Sequence, residues 1–392
     1  MNRRACQLAS AALLVVLGAA ALPAAAQSDK VKIGFLTTLS GPGAELGQRH
    51  LEGFKLGLEM HGNKLGGKPV ELITADDKLN PETGVEAVHK FIDSDHVNFV
   101  TGVVFSNVTM AVYKPVVDSK TLFVNSFSGP SPISGALCNP YFFGAGVQND
   151  STYEAVGAFV SKQPNIKSVF ILAPNYQGGR DAVAGFKRYY KGKVLGEIYT
   201  GLNQPDYSAE IAQVRAAKPD ALYFFYPGSM GITFVRQFAD AHLGIPSYSG
   251  FSVEELTIHA IGRAANGAYS AAVYNDDLDN PANKRFAAAY EKEYKRRPSI
   301  YADLGYDAVT VLDRAVSAAK GNLHNTEAMR RGLKSAHFEL ARGPMRFNTN
   351  QMPIQNVYLV QAEANGGDIR MVYRSTIFTA HKDAYADKCP MR

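Results

Sequence analysis

From residue 31 onward, short β-branched or aromatic runs alternate with amphipathic stretches, and this alternation occurs twice over. Residues 31–37 read as a strand that stops at Ser40-Gly41-Pro42-Gly43. Residues 44–61 follow, with Leu51, Phe54 and Leu58 at helical spacing. Strand-like runs at 70–75, 97–104 and 121–126 are separated by helical ones, one opened by Pro81-Glu82 and one spanning 106–118. The pattern then restarts with a helix at 151–162. Strands are expected at 168–173, 193–199, 220–226, 247–250 and 267–273, with helices at 179–191, 207–217 and 231–242 between them. Strand–helix–strand units of this kind build parallel sheets covered by helices on both faces. The expected fold class is therefore α/β, with two Rossmann-like parallel-sheet lobes.

The last third breaks the alternation. Residues 282–296, 302–320 and 327–335 read as consecutive helices, and 356–361 with 369–374 as a hairpin around Asn365-Gly366-Gly367. This is too little for a third domain, and 392 residues suit two. The extra elements are expected to complete the two lobes, so the chain crosses between them more than once. We assign 27–145 plus 276–348 to lobe I, 146–275 plus 349–380 to lobe II, and 381–392 to a tail. A hinged cleft should lie between the lobes.

The first 26 residues have a different character. Arg3 and Arg4 precede an apolar run from Leu8 to Leu22, which ends in Pro23-Ala24-Ala25-Ala26. This is the pattern of a secretory signal peptide cleaved after Ala26, and it places the mature chain in the periplasm. Cys6 leaves with it, so Cys138 and Cys389 remain. Two thiols in an oxidising compartment allow one disulfide or two buried free thiols. The net charge is +5 with no basic stripe, and nucleic acid is not expected as a partner.

In open parallel sheets, ligands bind beyond the carboxyl ends of strands. The residues there are Ser40, then Phe105, Ser106 and Asn107, then Phe127 and Ser128 in the first half. In the second half they are Tyr176, Gln177 and Arg180, then Tyr226 and Gly228, then Phe251 and Ser252, then Tyr274. Six strand ends carry a Phe or Tyr, with small hydroxyl residues beside them. Rings meet a ligand ring edge-on or stacked, and hydroxyls with helix N–H groups take a carboxylate. The set therefore suits a flat apolar ligand with one anionic end. Arg180 is a candidate counter-ion.

Several stretches resemble the type I periplasmic solute-binding proteins of ATP-binding-cassette importers, in the branched-chain amino-acid-binding group. They are Lys32-Ile33-Gly34-Phe35 to Ser40-Gly41-Pro42, Asp77 to Lys90 with Asn80-Pro81, the Gly102 to Ser106 turn, Pro174-Asn175-Tyr176-Gln177-Gly178-Gly179-Arg180, and Tyr301 to Leu312 with Gly305-Tyr306-Asp307-Ala308. The resemblance covers essentially the whole mature chain. It implies two lobes closing on a ligand, a membrane permease as partner, a monomer, no cofactor and no catalysis. It implies that Ser106 and Ser128 hold the ligand carboxylate. The position where amino-acid binders place an acid against the ligand ammonium matches Ser252, which is neutral. The aromatic strand ends are similar to the subgroup for benzoate, hydroxybenzoate or hydroxycinnamate. The resembled fold also brings the chain's end near the crossings, where Cys389 can approach Cys138.

Two other readings are weighed. One is a binder of branched-chain or other amino acids. The other is a secreted nucleotide-dependent oxidoreductase using Gly41-Pro42-Gly43-Ala44-Glu45-Leu46-Gly47. That loop is one residue longer than a dinucleotide fingerprint, and Pro42 removes an N–H. The sequence has no G-x-S-x-G elbow and no H-x-x-x-H pair, so neither that nucleophile nor such a metal site is expected.

Overall fold

The computed structural model describes residues 30–391. The leader expected at 1–26 lies outside them. The chain opens with β1 (Val31–Thr37), α1 (Ala44–Met60), β2 (Lys64–Leu65), β3 (Lys68–Asp76), α2 (Pro81–His89), β4 (Phe99–Thr101), α3 (Ser106–Asp118), β5 (Leu122–Asn125), α4 (Ser131–Ser134) and β6 (Phe142–Gly144). The strands form one sheet in the order β2-β3-β1-β4-β5-β6, parallel except for the short β2. β1 is buried along nearly its whole length, which explains its unbroken apolar run. Asn80 accepts from Thr83 N and Pro81 occupies the first turn, so α2 starts where the chain must bend.

Next come α5 (Asn149–Ser161), β7 (Ser168–Pro174), α6 (Gln177–Tyr189), β8 (Lys193–Thr200), α7 (Ser208–Ala217), β9 (Ala221–Phe224), α8 (Ser229–Asp240), β10 (Ser247–Gly250), α9 (Glu255–Ile261) and β11 (Tyr269–Ala272). The chain ends with α10 (Pro281–Tyr294), α11 (Ile300–Ala318), α12 (Thr326–Lys334), β12 (His337–Leu340), β13 (Gly343–Phe347), β14 (Pro353–Asn365) and β15 (Asp368–His381). The second sheet runs β12-β13-β14-β11-β10-β9-β7-β8, with β15 also paired to β14. Strands β7 to β11 are parallel to one another, and β14 joins β11 antiparallel. The structure is thus the expected pair of α/β lobes.

The three late helices return to lobe I. α11 lies along α1, and the contact requires Gly53, where an added Cβ would sit 1.8 Å from the Ala302 carbonyl oxygen. Tyr290 on α10 donates to Glu52 at 2.7 Å. One buried cluster fills the space between α1, α11, α12 and the first sheet, from Ile33 and Phe54 to Val309 and Leu312. A second is continuous from Val100 and Phe123 in lobe I to Ile171 and Leu222 in lobe II. Hydrophobic contact therefore runs through the crossings and across the cleft.

The crossings are fastened by side chains. Arg342 is 2% exposed. It donates to Asp307 at 3.0 Å, to Gln355 at 2.9 Å and to the Ala145 carbonyl at 2.5 Å. Gln355 donates onward to the Gly146 carbonyl at 3.1 Å. Cys138 is bonded to Cys389, with Cα atoms 5.6 Å apart. The tail also touches lobe II, because the Tyr385 hydroxyl donates to Asp150 at 2.7 Å and accepts from Arg188 at 2.9 Å.

Some boundaries differ from the sequence reading. The final hairpin extends to His381 instead of stopping near residue 374. Much of β15 beyond residue 373 is exposed, so apolar alternation fades while backbone pairing continues. The strand read at 97–104 keeps its pairing only over Phe99–Thr101, since Gly102 (φ +99°) turns the chain toward α3. The short α9 and β6 carried too few residues to show a period.

Candidate functional site

An interlobe cavity opens beyond the carboxyl ends of both sheets. Counting the part open to solvent, it holds about 440 Å3 free of atoms. Its lining includes Phe105, Phe127, Tyr153, Tyr176, Phe225, Phe251 and Tyr301. These rings touch in sequence around the space. Phe105 meets Tyr176 (6.5 Å between centroids), Tyr176 meets Phe225 (6.3 Å), and Phe225 meets Tyr153 (5.1 Å). Tyr153 meets Phe251 (6.2 Å), Phe251 meets Phe127 (5.9 Å), and Phe127 stacks on Tyr301 (4.9 Å, 10°). The belt includes rings from both lobes, so the described conformation is closed. At the mouth, Ser229 Oγ of lobe II donates to the Pro42 carbonyl of lobe I at 3.2 Å.

Polar groups enter this belt at few points. Ser106 is the first residue of α3, and no side chain caps that helix. Its opening N–H groups have no partner within the helix and carry the positive end of its dipole. Asn149 Nδ2 donates to Ser106 Oγ at 2.9 Å and to Asp181 at 2.8 Å. Ser106 Oγ donates to no described residue, so its proton is free to point at a ligand. Ser128 also lines the cavity, but its hydroxyl donates to the Val103 carbonyl at 3.1 Å and pairs with Thr109 at 2.6 Å. Ser128 therefore braces the turn. The hydroxyls of Tyr153, Tyr176 and Tyr301 make no hydrogen bond to the described residues.

No lining residue carries a charge. His50 stands edge-on behind Phe127, and burial drives its pKa down to about 3, so the ring is neutral. Asp181 is buried behind Asn149 and accepts from Ser131, Asn149 and Gln177, while burial pushes its pKa up. An anion at the Ser106 end thus meets neutral donors, and an ammonium would find no carboxylate on the wall. Among the described residues, no group of three His, Cys, Asp or Glu is placed to hold a metal ion.

Of the residues singled out from the sequence, the structure brings Phe105, Ser106, Phe127, Ser128, Tyr176 and Phe251 to this cavity. The others lie elsewhere. Tyr226 is fully buried in lobe II against Tyr207 and Phe234 and accepts from Thr200 at 3.2 Å. Successive residues leaving a strand point to opposite sides, and Phe225 faces the ligand space instead. Ser252 is fully buried, and its Oγ accepts from Tyr226 N at 2.8 Å. Arg180 is exposed and donates to Asn175 at 2.9 Å, so it is no counter-ion here. Gln177 is turned to Asp181. Ser40 is exposed and bonds Asp76. Asn107 is half-buried outside the lining, with Oδ1 unpartnered among the described residues. Gly228 sits at the mouth with φ +60°, facing Leu46 across the cleft. Tyr274 lines a second, separate cavity.

The reading from strand ends missed Tyr153, Phe225 and Tyr301. Tyr153 and Tyr301 lie near the starts of α5 and α11, the first just after a crossing and the second one helix beyond the next. Neither directly follows a strand, so a reading from strand ends does not reach them.

Comparison with known proteins agrees with this geometry. A family model described as periplasmic binding protein matches residues 30–368. A solute-binding protein of an ABC transporter from R. palustris, solved with benzoate, superposes with a TM-score of 0.87 at 29% identity, covering 92% of this chain and 99% of that one. Another from Rhodopseudomonas palustris BisB5, solved with 3,4-dihydroxybenzoic acid, gives a TM-score of 0.85 at 27% identity over 91% and 99% of the two chains. A Brucella melitensis protein named Leu/Ile/Val-binding protein homolog 6 is 25% identical over 356 residues, 88% of this chain and 90% of its own length. With the match spanning both sheets and the cleft between them, the chain belongs to the periplasmic binding protein family.

Proposed function

We propose that the protein is the extracytoplasmic solute-binding component of an ABC importer, and that its interlobe cavity takes a small aromatic carboxylate. The observation that carries this reading is a belt of seven aromatic rings with no charged wall and one uncapped helix end. The ligand ring lies within the belt, where edge and face contacts favour an aromatic body. Its carboxylate faces Ser106 Oγ and the first N–H groups of α3. Ligand contacts from both lobes favour the closed form over the open one, and a membrane permease accepts the closed form. The relatives solved with benzoate and 3,4-dihydroxybenzoate support the ligand class. No helix among the described residues is long and apolar enough to cross a membrane, which suits a protein released into the periplasm after cleavage at Ala26. It acts as a monomer, with no cofactor and no catalytic group.

The test is a thermal-shift comparison of benzoate and 4-hydroxybenzoate with leucine, isoleucine and valine. A ligand at about 100 times its Kd stabilises by about 2.7 kcal/mol, a resolvable rise in melting temperature. The expected result is a rise with the aromatic acids and none with the aliphatic amino acids. The opposite pattern makes the protein an amino-acid binder, in line with its Leu/Ile/Val-binding relatives.

A further inference from the structure

Asn149 is the first residue of α5 and stands on the cavity wall, only 7% exposed. Its neighbours fix which way its side-chain amide is turned. The Gly129 N–H, which can only donate, meets Oδ1 at 3.1 Å. Nδ2 therefore faces Ser106 Oγ at 2.9 Å and Asp181 at 2.8 Å, and its two protons are spent on those contacts. The main chain adds a further tie, since Asn149 N donates to the Gly129 carbonyl at 2.9 Å. Asp181 holds the amide from behind. It is 2% exposed and accepts as well from Gln177 at 2.8 Å and from Ser131 N and Oγ at 3.2 and 2.6 Å.

This arrangement decides what Ser106 can do. A serine hydroxyl has one proton and two acceptor sites. Asn149 Nδ2 fills one acceptor site, and Asn149 turns no acceptor toward Ser106. The hydroxyl proton is thereby left for the cavity. A carboxylate presents only acceptors, so it is matched. A carboxamide of the same shape also presents an N–H pair, which finds donors where it needs acceptors. Ser106, Gly129 and Ser131 belong to lobe I, and Asn149 and Asp181 to lobe II. Lobe II thus sets the polarity of a donor that lobe I presents.

We propose that Asn149, held by Asp181, is a positioning residue that fixes Ser106 as a hydrogen-bond donor and so sets the preference of the cavity for a carboxylate over the corresponding neutral amide. This role rests on the aromatic-carboxylate reading and extends it. Asn149 acts on the ligand through Ser106.

The experiment is calorimetric titration of the full mature chain with benzoate and benzamide, in the native protein, Asn149→Ala, Ser106→Ala and the double variant. Asn149→Ala lets the Ser106 hydroxyl turn, so it can accept from an amide N–H. Benzoate should then bind about tenfold more weakly, the worth of a hydrogen bond to a charged group, and its preference over benzamide should shrink by a similar factor. In the Ser106→Ala background the same change should cost benzoate almost nothing, because the group it acts through is gone. A merely structural role gives equal losses in both backgrounds. Asn149→Asp, which keeps an acceptor for the Gly129 N–H, is the second variant should Asn149→Ala fail to fold. Its carboxyl draws the Ser106 proton away, so benzoate should lose about tenfold more in the native background than in Ser106→Ala, where only charge repulsion remains. Equal losses in the two backgrounds overturn the proposal, as does an unchanged preference for benzoate over benzamide in Asn149→Ala. If the native chain binds benzoate in those cases, the aromatic-acid reading stands without a role for Asn149. If it does not bind benzoate, both readings fall.

Discussion

Replacing Arg342 with methionine is expected to remove about 3–5 kcal/mol of stability, the usual cost of breaking a buried ion pair by deleting one partner. Arg342 and Asp307 are both fully buried, and Asp303 lies within 4.0 Å of the same guanidinium. Burial pushes both carboxyls up, and the guanidinium pulls them back. Without Arg342, Asp307 becomes charged and unpaired in the interior, or takes up a proton. The same substitution frees the Ala145 carbonyl at one crossing and Gln355 at another. The damage therefore falls on the hinge, where the lobes meet. Urea denaturation should show a midpoint shift of that size. Adding Asp307→Asn should recover part of the loss, because it removes the stranded charge. A midpoint within error of the native protein would show that the crossings are held by packing alone.

Ser106→Ala should weaken benzoate binding by about tenfold or more, since a hydrogen bond to a charged group contributes roughly 1.5–3 kcal/mol. Its hydroxyl only accepts, from Asn149, so folding should change little. Ser128→Ala should behave in reverse. Its hydroxyl is tied to Val103 and Thr109, and its loss should lower stability by about 1–3 kcal/mol while leaving affinity nearly intact. Calorimetric titration and urea denaturation of both variants separate the two roles. Native affinity in Ser106→Ala would move the carboxylate site away from α3.

The fold was legible because both lobes repeat one strand–helix period, and because buried parallel strands such as β1 and β7 need unbroken apolar runs. The site was only partly legible, for geometric reasons. Strand ends lead to the cleft, so Phe105, Phe127, Tyr176 and Phe251 could be found by position. The side a residue faces after a strand ends depends on where pairing stops. β9 stops at Phe224, which turns Phe225 into the cleft and Tyr226 into the core. Arg180 looked like a counter-ion because it opens a helix near the cleft, but it lies on the outer side of α6 and bonds Asn175. Tyr301 was hidden because α11 packs in lobe I far along the sequence from β4 and β5, so its ring reaches Phe127 only through tertiary packing. The Cys138–Cys389 bond spans 251 residues, and no local pattern could announce it.

The central claim is that the aromatic belt and the uncapped end of α3 together hold an aromatic carboxylate. A crystal structure of the mature protein grown with benzoate tests it most directly. The ring should lie between the planes of the belt, with a carboxylate oxygen about 2.5–3.2 Å from Ser106 Oγ and from an N–H of the first turn of α3. Benzoate bound outside the cleft, or held in it with its carboxylate turned away from Ser106, would contradict the account.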